Sequence, residues 1–438
     1  MRQLMAPTRA HPLRPRTSER RVDVFESPFG PLNLERTPGR CSELRGWNAA
    51  EEYVLAHLID RFGSAALPGR IIVVNPAAGA VPLALALGGA SPVVVTDSAV
   101  DVLAMQANAV CNGIDPDRFT VVADPRTLVE VTGWGEQAAD VVVVMVPKGQ
   151  ALLEAQLREI AGVVDDHTVV VGTGMTRHVH RATIDAFADL IGPATTSLAR
   201  RKARLIQPTP DPTRCGPLAP SNGRPTIEVT DHDLRLVSEP GVFGAERVDA
   251  GTRLLLDHLP PLDQYAGGPD SPVRVIDLGC GNGVIGAAIA RRYPGAELTL
   301  IDESYAAIRS ARATFEATVG LAVDAQHQPR RRPPRFVVGD GLRAFVPGDD
   351  ATPHEPGADD MVADVIITNP PFHHDHAVTD EIAWSFFHGA RRVLRRGGVL
   401  VVVGNRHLNY HNKLRRLFGN VDTIGSSKKF VVLAAHKR

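Results

Sequence analysis

Short apolar runs alternate with longer amphipathic stretches from about residue 70 to the end of the chain. The most regular stretch begins at 273–277, an apolar run that predicts a buried strand leading through a glycine-rich turn into a helix ending near Tyr293. Strands that alternate with helices are typical of βαβ units, which form a mostly parallel sheet covered by helices. The pattern therefore predicts an α/β fold.

The same alternation continues to the end of the chain. It predicts, in order, a strand at Glu297–Asp302, a helix at Tyr305–Thr318, strands at Arg335–Val338 and Ala363–Thr368, a helix at 376–395, a strand at 399–404, a helix at 407–418 and strands at 422–425 and 429–435. Two polar segments, 324–334 and 347–360, interrupt this order. Their Pro, Arg and acidic residues predict surface loops.

The first half of the chain repeats this order of elements, which indicates a duplicated domain. The matched segments are 71–75 with 273–277, 93–97 with 298–302, 121–124 with 337–340, and 141–147 with 365–370, followed by a helix, a strand and a helix at 150–164, 168–172 and 178–190. We expect a first copy at 1–207, a linker rich in Pro, Gly and Ser at 208–224, and a second copy at 225–438.

The composition agrees with two soluble domains. A chain of 438 residues with 44% apolar and 22% charged residues is long enough for two cores, and this balance excludes fibrous and disordered classes. No long uncharged apolar run is present, so we expect a protein that neither spans a membrane nor is secreted. The four cysteines contain no C-x-x-C pair, which favours a reducing cytoplasm over a disulfide or zinc framework.

The net charge of −1 conceals a strongly basic end. Residues 390–438 contain twelve Lys and Arg and one acid, so this segment carries +11 and the other 389 residues carry −12. Clustered cations bind phosphates and release their counterions. We therefore expect 390–438 to contact nucleic acid, with Arg415 and Arg416 among the contacts; a solvated basic face is the alternative.

Acidic residues end three successive strands of the second copy and predict a cofactor cleft. Asp277 precedes a turn with three glycines, Gly279, Gly281 and Gly283, which let the backbone approach a ligand near a helix N-terminus. The turn lacks the G-x-G-x-x-G spacing of dinucleotide sites, and its acid suits an amino-bearing ligand. Asp302 can accept two ribose hydroxyls, and Asp340 can accept an adenine amino proton. Each acid alone could cap a helix.

The segment Asn369–Phe372, with the sequence Asn-Pro-Pro-Phe, directly follows the predicted strand Ala363–Thr368. The two prolines restrict the backbone, so the Asn369 side chain and the Pro370 carbonyl can be held as two acceptors for one planar amino group. Phe372 after Pro371 offers a face on which a planar ring can stack. Alone, the segment could be a Pro-Pro turn.

These motifs, in this order, resemble those of class I S-adenosylmethionine-dependent methyltransferases that act on amino nitrogens. The resemblance is narrower over 225–438, where 240–244 (PGVFG), 404–408 (GNRHL) and 429–433 (KFVVL) are similar to segments of the bacterial ribosomal RNA guanine-N2-methyltransferases. The large-subunit (23S) branch is closer than the small-subunit (16S) branch. The segment 47–55 (WNAAEEYVL) extends the resemblance weakly toward the N-terminus.

The resemblance implies two tandem Rossmann-like methyltransferase domains, of which the first is degenerate. It implies S-adenosyl-L-methionine as cofactor and ribosomal RNA as partner, either free 23S rRNA or an assembling subunit. The implied cofactor residues are Phe243, Asp277, Gly279, Gly281, Asp302 and Asp340, and the implied base-binding residues are Asn369, Pro370, Pro371 and Phe372. No metal is implied, although His373, His374 and Asp375 follow the motif.

In the first copy, Asn75 is expected to replace Asp277, and 145–148 (MVPK) to replace Asn369–Phe372, while Asp97 and Asp124 remain. This copy is therefore expected to do no chemistry and to stabilise the second copy or help bind RNA. Other functions stay open: 16S rRNA guanine-N2 methylation, a protein glutamine-N5 methyltransferase, which usually has Tyr in place of Phe372, and an RNA-binding scaffold without activity.

Overall fold

The structure is a computed structural model. It describes residues 23–36, 45–64, 67–134, 137–215, 226–229, 233–245, 247–267, 271–320, 333–345, 363–371 and 376–438. Within these residues, none of the helices combines the length and the apolar character needed to cross a membrane.

The first half forms a hairpin, a long helix and an α/β unit. Its elements are β1 (Asp23–Ser27), β2 (Gly30–Leu34), α1 (Ala49–Phe62), β3 (Ile71–Val74), α2 (Ala80–Leu87), β4 (Val93–Val95), α3 (Ala99–Cys111), β5 (Thr120–Val122), α4 (Leu128–Thr132), β6 (Val141–Met145), α5 (Gln150–Ala161), β7 (Val169–Met175), α6 (Arg181–Leu190), β8 (Ala194–Thr196) and β9 (Ala203–Pro208).

The second half repeats this series. Its elements are β10 (Thr226–Val229), β11 (Leu234–Val237), α7 (Ala250–Asp257), β12 (Arg274–Leu278), α8 (Val284–Arg292), β13 (Glu297–Asp302), α9 (Tyr305–Thr318), β14 (Arg335–Val338), β15 (Ala363–Thr368), α10 (His376–Val393), β16 (Leu394–Asn405), α11 (Tyr410–Phe418), β17 (Asp422–Ser426) and β18 (Phe430–His436).

Each half builds a seven-stranded sheet with the same strand order. The orders are β5-β4-β3-β6-β7-β9-β8 and β14-β13-β12-β15-β16-β18-β17. The first five strands of each order are parallel, and β9 and β18 run antiparallel to their neighbours. The strand order reverses next to β3 and β12, and ligands bind at the carboxyl ends of strands at such a reversal. The predicted α/β duplication is therefore present.

Apolar side chains cover both faces of each sheet. In the second half, one cluster packs α7, α8 and α9 on one face, and another packs α10 and α11 on the other. Gly283 sits where α8 meets α9, and a Cβ there would lie 2.8 Å from Cα of Ala311, so a larger residue would push the two helices apart. These layers fix the strand ends that carry the predicted site.

The strand register corrects two of the residue matches between the copies. The backbone N–H of Asn75 donates to Val95 just as that of Gly279 donates to Ile301, both at 2.8 Å. Asn75 therefore corresponds to Gly279, and the residue in the place of Asp277 is Val73.

A second match shifts by one residue. The N–H of Ser98 donates to Thr96 Oγ1 at 3.2 Å, and the N–H of Ser304 donates to Asp302 Oδ1 at 3.0 Å. Thr96 therefore stands in the place of Asp302, and Asp97 in that of Glu303. The first copy has lost both acids.

An arginine–aspartate pair lies at the amino edge of each sheet, between β3 and β6 in the first copy and between β12 and β15 in the second. Asp364 accepts from the backbone N–H of Arg274 at 2.7 Å and contacts the guanidinium groups of Arg274 and Arg395. In the first copy, Asp140 pairs with Arg70 at 2.6 Å. The side chain of Asp364 is 1% exposed, whereas that of Asp140 is 33% exposed.

This difference in burial predicts unequal stability effects. Asp364→Ala should lower the free energy of unfolding by about 3 kcal/mol, since it removes a buried carboxylate that accepts from the backbone N–H of Arg274 and pairs with two half-buried guanidinium groups. Asp140→Ala should cost about 1 kcal/mol or less, because water screens that pair. Urea unfolding of both variants checks this, and equal losses would contradict it.

Candidate functional site

Asp277, Asp302 and Asn369 of the predicted site meet at the carboxyl edge of the second sheet. Asp277 pairs in register with Ile367 of β15 and with Leu300 of β13. Asn369 directly follows β15, and Asp302 ends β13. The parallel register therefore brings residues that are far apart in sequence to one edge, as predicted.

Asp277 is 1% exposed and lies under the N-terminus of α8. Its Oδ2 accepts from the backbone N–H of Gly286 at 2.9 Å, while Oδ1 has no hydrogen-bond partner among the described residues. Burial raises the pKa of Asp277 to about 7; the Gly286 bond opposes this rise and the nearby Asp302 charge adds to it. A cationic or amino-bearing group would satisfy the open oxygen.

Asp302 is held by backbone donors on both of its oxygens. Gly281 donates to Oδ2 at 2.9 Å, and Ser304 donates to Oδ1 at 3.0 Å. Burial raises the pKa of this carboxyl group as well. Each oxygen retains a lone pair for a further donor such as a hydroxyl.

The glycine turn between β12 and α8 leaves open space beside Gly281. Gly279, Gly281 and Gly283 all have positive φ, at 71°, 54° and 79°. A Cβ on Gly281 would meet no atom closer than the Phe243 carbonyl oxygen at 3.8 Å. The turn therefore has the conformation that favours glycine, and room for a ligand next to Gly281.

Phe243 lies on the loop that follows β11, and its side chain is 53% exposed. Asn282, inside the glycine turn, anchors this loop by donating to Ser238 Oγ at 3.0 Å and to the Gly244 carbonyl at 3.4 Å. Phe243 is thus held beside the glycine turn, where the sequence predicted a cofactor contact.

Asp340 lies in the turn after β14 and is paired with Arg343, whose Nη1 is 3.3 Å from Oδ2. A Cβ on the preceding Gly339 would meet nothing within 4 Å, so this turn also borders open space. Phe386 of α10 links the two turns: Cβ atoms added at Gly279 and Gly341 would lie 3.3 and 3.2 Å from its ring. Phe386 is an apolar wall that no sequence motif indicated.

Asn369 is fixed by a contact that the sequence did not predict. Its Nδ2 donates to the hydroxyl of Thr252 at 2.8 Å, and its Oδ1 is buried without a partner among the described residues. Thr252 is 4% exposed in the first turn of α7, which Asp249 caps. The side-chain carbonyl of Asn369 is thereby left as an oriented acceptor.

The other residues of this motif are only partly described. Pro370 is buried and Pro371 is half-buried. Phe372, with its predicted stacking role, and His373, His374 and Asp375 lie outside the described residues. Within the described part of the chain, no cluster of three His, Cys, Asp or Glu side chains could hold a metal ion.

The corresponding edge of the first copy is closed by amide side chains. Asn75 and Gln156 exchange two hydrogen bonds of 2.9 and 2.8 Å, and Asn75 also donates to the Met145 carbonyl at 3.1 Å. Val73 and Thr96 take the places of the two acids. The first copy therefore offers no carboxylate for a cofactor at these positions.

Fold and site together define a class I methyltransferase built from two copies of one domain. The model of the RLMG N-terminal domain matches residues 22–212, and that of the methyltransferase small domain matches 233–328 and 353–434. Two relatives of this chain are named ribosomal RNA large subunit methyltransferase G. The protein of Streptomyces griseus subsp. griseus is 42% identical to this chain, and the match covers 95% of this chain and 100% of the relative. The protein of Aeromonas hydrophila is 38% identical, and the match covers 93% of this chain and 97% of the relative.

The chain belongs to this family, and the predicted family resemblance is confirmed. A solved T. thermophilus 16S rRNA N2-guanine methyltransferase, in complex with AdoMet and guanosine, shares the fold with a TM-score of 0.67 and 22% identity, over 95% of this chain and 98% of that one. The two-copy fold predicted from the sequence is therefore confirmed.

The raised pKa of Asp277 predicts a pH-dependent stability. The native state holds a proton on Asp277 up to about pH 7, whereas in the unfolded chain this carboxyl group has its ordinary pKa of 3.8, so the wild type loses stability as pH rises from 4 to 7. Asp277→Asn lacks this loss and retains an acceptor for Gly286.

The free energy of unfolding of Asp277→Asn, relative to wild type, should therefore increase by roughly 2–4 kcal/mol between pH 4 and pH 8 in cofactor-free protein. Chemical denaturation at a series of pH values measures it. A difference that stays constant with pH would contradict the assignment of a buried, proton-binding carboxyl group.

Proposed function

We propose that this chain transfers a methyl group from S-adenosyl-L-methionine to the exocyclic N2 of a guanine in 23S ribosomal RNA, in the cytoplasm. The observation that carries the proposal is the oriented Oδ1 of Asn369 at the carboxyl edge of β15, which has no hydrogen-bond partner among the described residues. The names of the large-subunit relatives support the choice of RNA, and the guanosine complex of the T. thermophilus enzyme supports the choice of base.

The cofactor fits the acids and the open turns of the second copy. The buried Oδ1 of Asp277 suits the cationic amino group of its methionine part, and the two half-satisfied oxygens of Asp302 suit ribose hydroxyls. Gly279 and Gly281 give room for close approach, Asp340 accepts from the adenine amino group, and Phe243 covers the site. When bound, the cofactor supplies an electrophilic methyl group on a sulfonium sulfur.

The protein residues need only position the base. Asn369 Oδ1 and the Pro370 carbonyl accept hydrogen bonds from the guanine amino group, which fixes the nitrogen for in-line attack. Phe372 stacks on the ring, and Pro371 keeps the segment extended. Because the base must leave its stack to enter this pocket, the enzyme acts on an extruded guanine. The amino proton departs after methyl transfer, so no dedicated base is required.

The basic residues of 390–438 divide between two edges of the second sheet. Arg406, Lys428 and Lys429 are exposed at the carboxyl edge, since Asn405 pairs with Phe430 and the N–H of Arg406 donates to the Lys429 carbonyl at 3.0 Å. We propose that these three contact RNA phosphates beside the base pocket.

Other cations of this segment lie elsewhere or serve the fold. Arg395 binds the buried Asp364, and Lys437 donates to backbone carbonyls. Arg415 and Arg416 lie in the last turn of α11, near the amino edge of the sheet, because the neighbouring Asn420 bonds the backbone of His436. The structure therefore does not place these two arginines beside Asn369.

Product analysis tests the proposed function. Purified protein is incubated with labelled S-adenosyl-L-methionine and with 23S rRNA, 16S rRNA or ribosomal particles, and the nucleosides are separated by mass spectrometry. We expect N2-methylguanosine in 23S rRNA. N6-methyladenosine, a product in 16S rRNA alone, methylated protein glutamine, or no product would contradict the proposal.

Asn369→Ala should reduce kcat by at least about 100-fold, because the base loses a positioned acceptor in the transition state. Cofactor affinity should change less than about twofold. Single-turnover methylation and isothermal titration separate the two effects. As a control, Asn420→Ala removes an amide at the opposite edge and should leave kcat unchanged; loss of cofactor binding in Asn369→Ala would contradict the assigned role.

Replacing Lys428 and Lys429 together by Ala should weaken RNA binding and reduce the slope of log affinity against log salt by about 1.5, the value for two lost phosphate contacts. The matched pair Arg415→Ala and Arg416→Ala should change the slope less. RNA affinity measured over a salt series checks both. An unchanged slope for the lysine pair would rule out this contact surface.

A further inference from the structure

The two copies meet through the turns that follow β4 and β13, and the contacts are reciprocal. Tyr305 donates its N–H to the Asp97 carbonyl and Ala99 donates to the Glu303 carbonyl, both at 2.9 Å. The hydroxyl of Ser98 donates to the Glu303 carboxylate at 2.5 Å. The hydroxyl of Ser304 donates to the Asp97 carboxylate. The interface is thus an approximate two-fold arrangement of two helix N-termini.

The first turn of α9 depends on the other copy for its hydrogen bonds. A helix N-terminus leaves its first N–H groups without intrahelical partners. Here Tyr305 donates to the Asp97 carbonyl and Ala306 donates to Asp97 Oδ1 at 2.6 Å. Only the third, Ala307, is satisfied within its own copy, by Ser304 Oγ at 3.0 Å. Asp97 therefore satisfies two of the first three N–H groups of α9.

The same contact leads directly to the cofactor acid. Ser304, whose hydroxyl binds Asp97, donates its backbone N–H to Oδ1 of Asp302. Asp302 in turn accepts from Gly281 in the glycine turn. A continuous chain of hydrogen bonds thus joins Asp97 of the degenerate copy to the acid and the turn that the proposed function assigns to the cofactor.

A second contact from the first copy reaches the same helix. Arg309 of α9 binds the 9%-exposed side chain of Glu239 at 2.8 Å and donates to the Ala123 carbonyl at 3.3 Å. Arg126 of the first copy binds Glu239 at 3.1 Å. The orientation of α9 is therefore set by the first copy both at its N-terminus and one turn further along.

We propose that Asp97 is a positioning residue of the catalytic copy: through Ser304, it holds Asp302 in the geometry that binds the ribose of S-adenosyl-L-methionine. The degenerate copy is then part of the cofactor site without touching the cofactor. This inference rests on the cofactor site of the proposed function, but it does not depend on which RNA is methylated.

Cofactor affinity of the full chain is the primary test, measured by isothermal titration with S-adenosyl-L-methionine at pH 8. Burial raises the pKa of Asp97 to about 6, so its carboxylate is ionised at this pH. Asp97→Ala should weaken cofactor binding about fivefold to twentyfold. In methylation assays it should raise KM for the cofactor and change kcat less than about twofold. Asp97→Asn retains an acceptor for Ala306 but replaces the oxygen that accepts from the Ser304 hydroxyl, so it should restore only part of the affinity.

Ser98→Ala is the matched control. It removes the reciprocal hydroxyl–carboxylate bond of the same interface and the cap of α3, but it leaves the chain from Asp97 through Ser304 to Asp302 intact. It should bind the cofactor like the wild type. Equal losses in Ser98→Ala and Asp97→Ala would overturn the proposal, because they would indicate a general effect of the interface.

Two further variants keep the test decisive. Ser304→Ala breaks the same chain from within the second copy, so it should weaken cofactor binding even if Asp97→Ala does not fold. Asp302→Asn should bind the cofactor at least tenfold more weakly. Unchanged affinity in Asp302→Asn would refute the cofactor site and this inference with it, whereas weak binding in Asp302→Asn together with normal binding in Ser304→Ala would refute the inference alone.

Discussion

Carboxylates withdrawn from water at the ends of parallel strands, as at the buried Asp277 and the half-buried Asp302, need hydrogen-bond donors within the protein, and at this site backbone N–H groups supply them. The N–H of Gly286 donates to Asp277, and the N–H groups of Gly281 and Ser304 donate to Asp302. These bonds couple β12, the glycine turn, β13 and α9 into one unit, so that a shift in any of them moves an acid. The open oxygen of Asp277 and the spare lone pairs of Asp302 are what remains for a ligand.

Duplication preserved this framework, although the first copy lacks both acids. The Thr96 hydroxyl accepts from the N–H of Ser98, just as the Asp302 carboxylate accepts from the N–H of Ser304. The turn of the first copy is therefore held by a neutral group in place of a charged one. Asn75, at the position of Gly279, adopts a positive φ of 56° and fills the cleft together with Gln156. A fold of this kind tolerates the loss of the two acids because a neutral hydroxyl accepts the same backbone hydrogen bond and a pair of amide side chains occupies the cleft.

The sequence predicted the carboxyl ends of the second copy's strands to within one residue, but it missed the start of β16 by five residues and predicted the register poorly. Glu297–Asp302 and Tyr305–Thr318 have the predicted bounds, because apolar runs bounded by Asp and Ser leave little freedom. A run of valines does not indicate which residue of one copy corresponds to which residue of the other. The predicted counterpart of Asp277 is therefore wrong by two residues, and that of Asp302 is wrong by one. Thr252 and Phe386 reach the site from helices that carry no motif. The positions of Lys and Arg along 390–438 also could not indicate at which edge of the sheet each side chain lies.

We propose that the second copy, with Asn369 as its positioned acceptor, methylates guanine N2 in 23S rRNA. It is tested most directly in cells, by nucleoside mass spectrometry of 23S rRNA fragments from a strain that lacks this gene. We expect one N2-methylguanosine to disappear in this strain, the wild-type gene to restore it, and the Asn369→Ala gene not to restore it. Unchanged 23S rRNA in the deletion strain, or full restoration by Asn369→Ala, would contradict it.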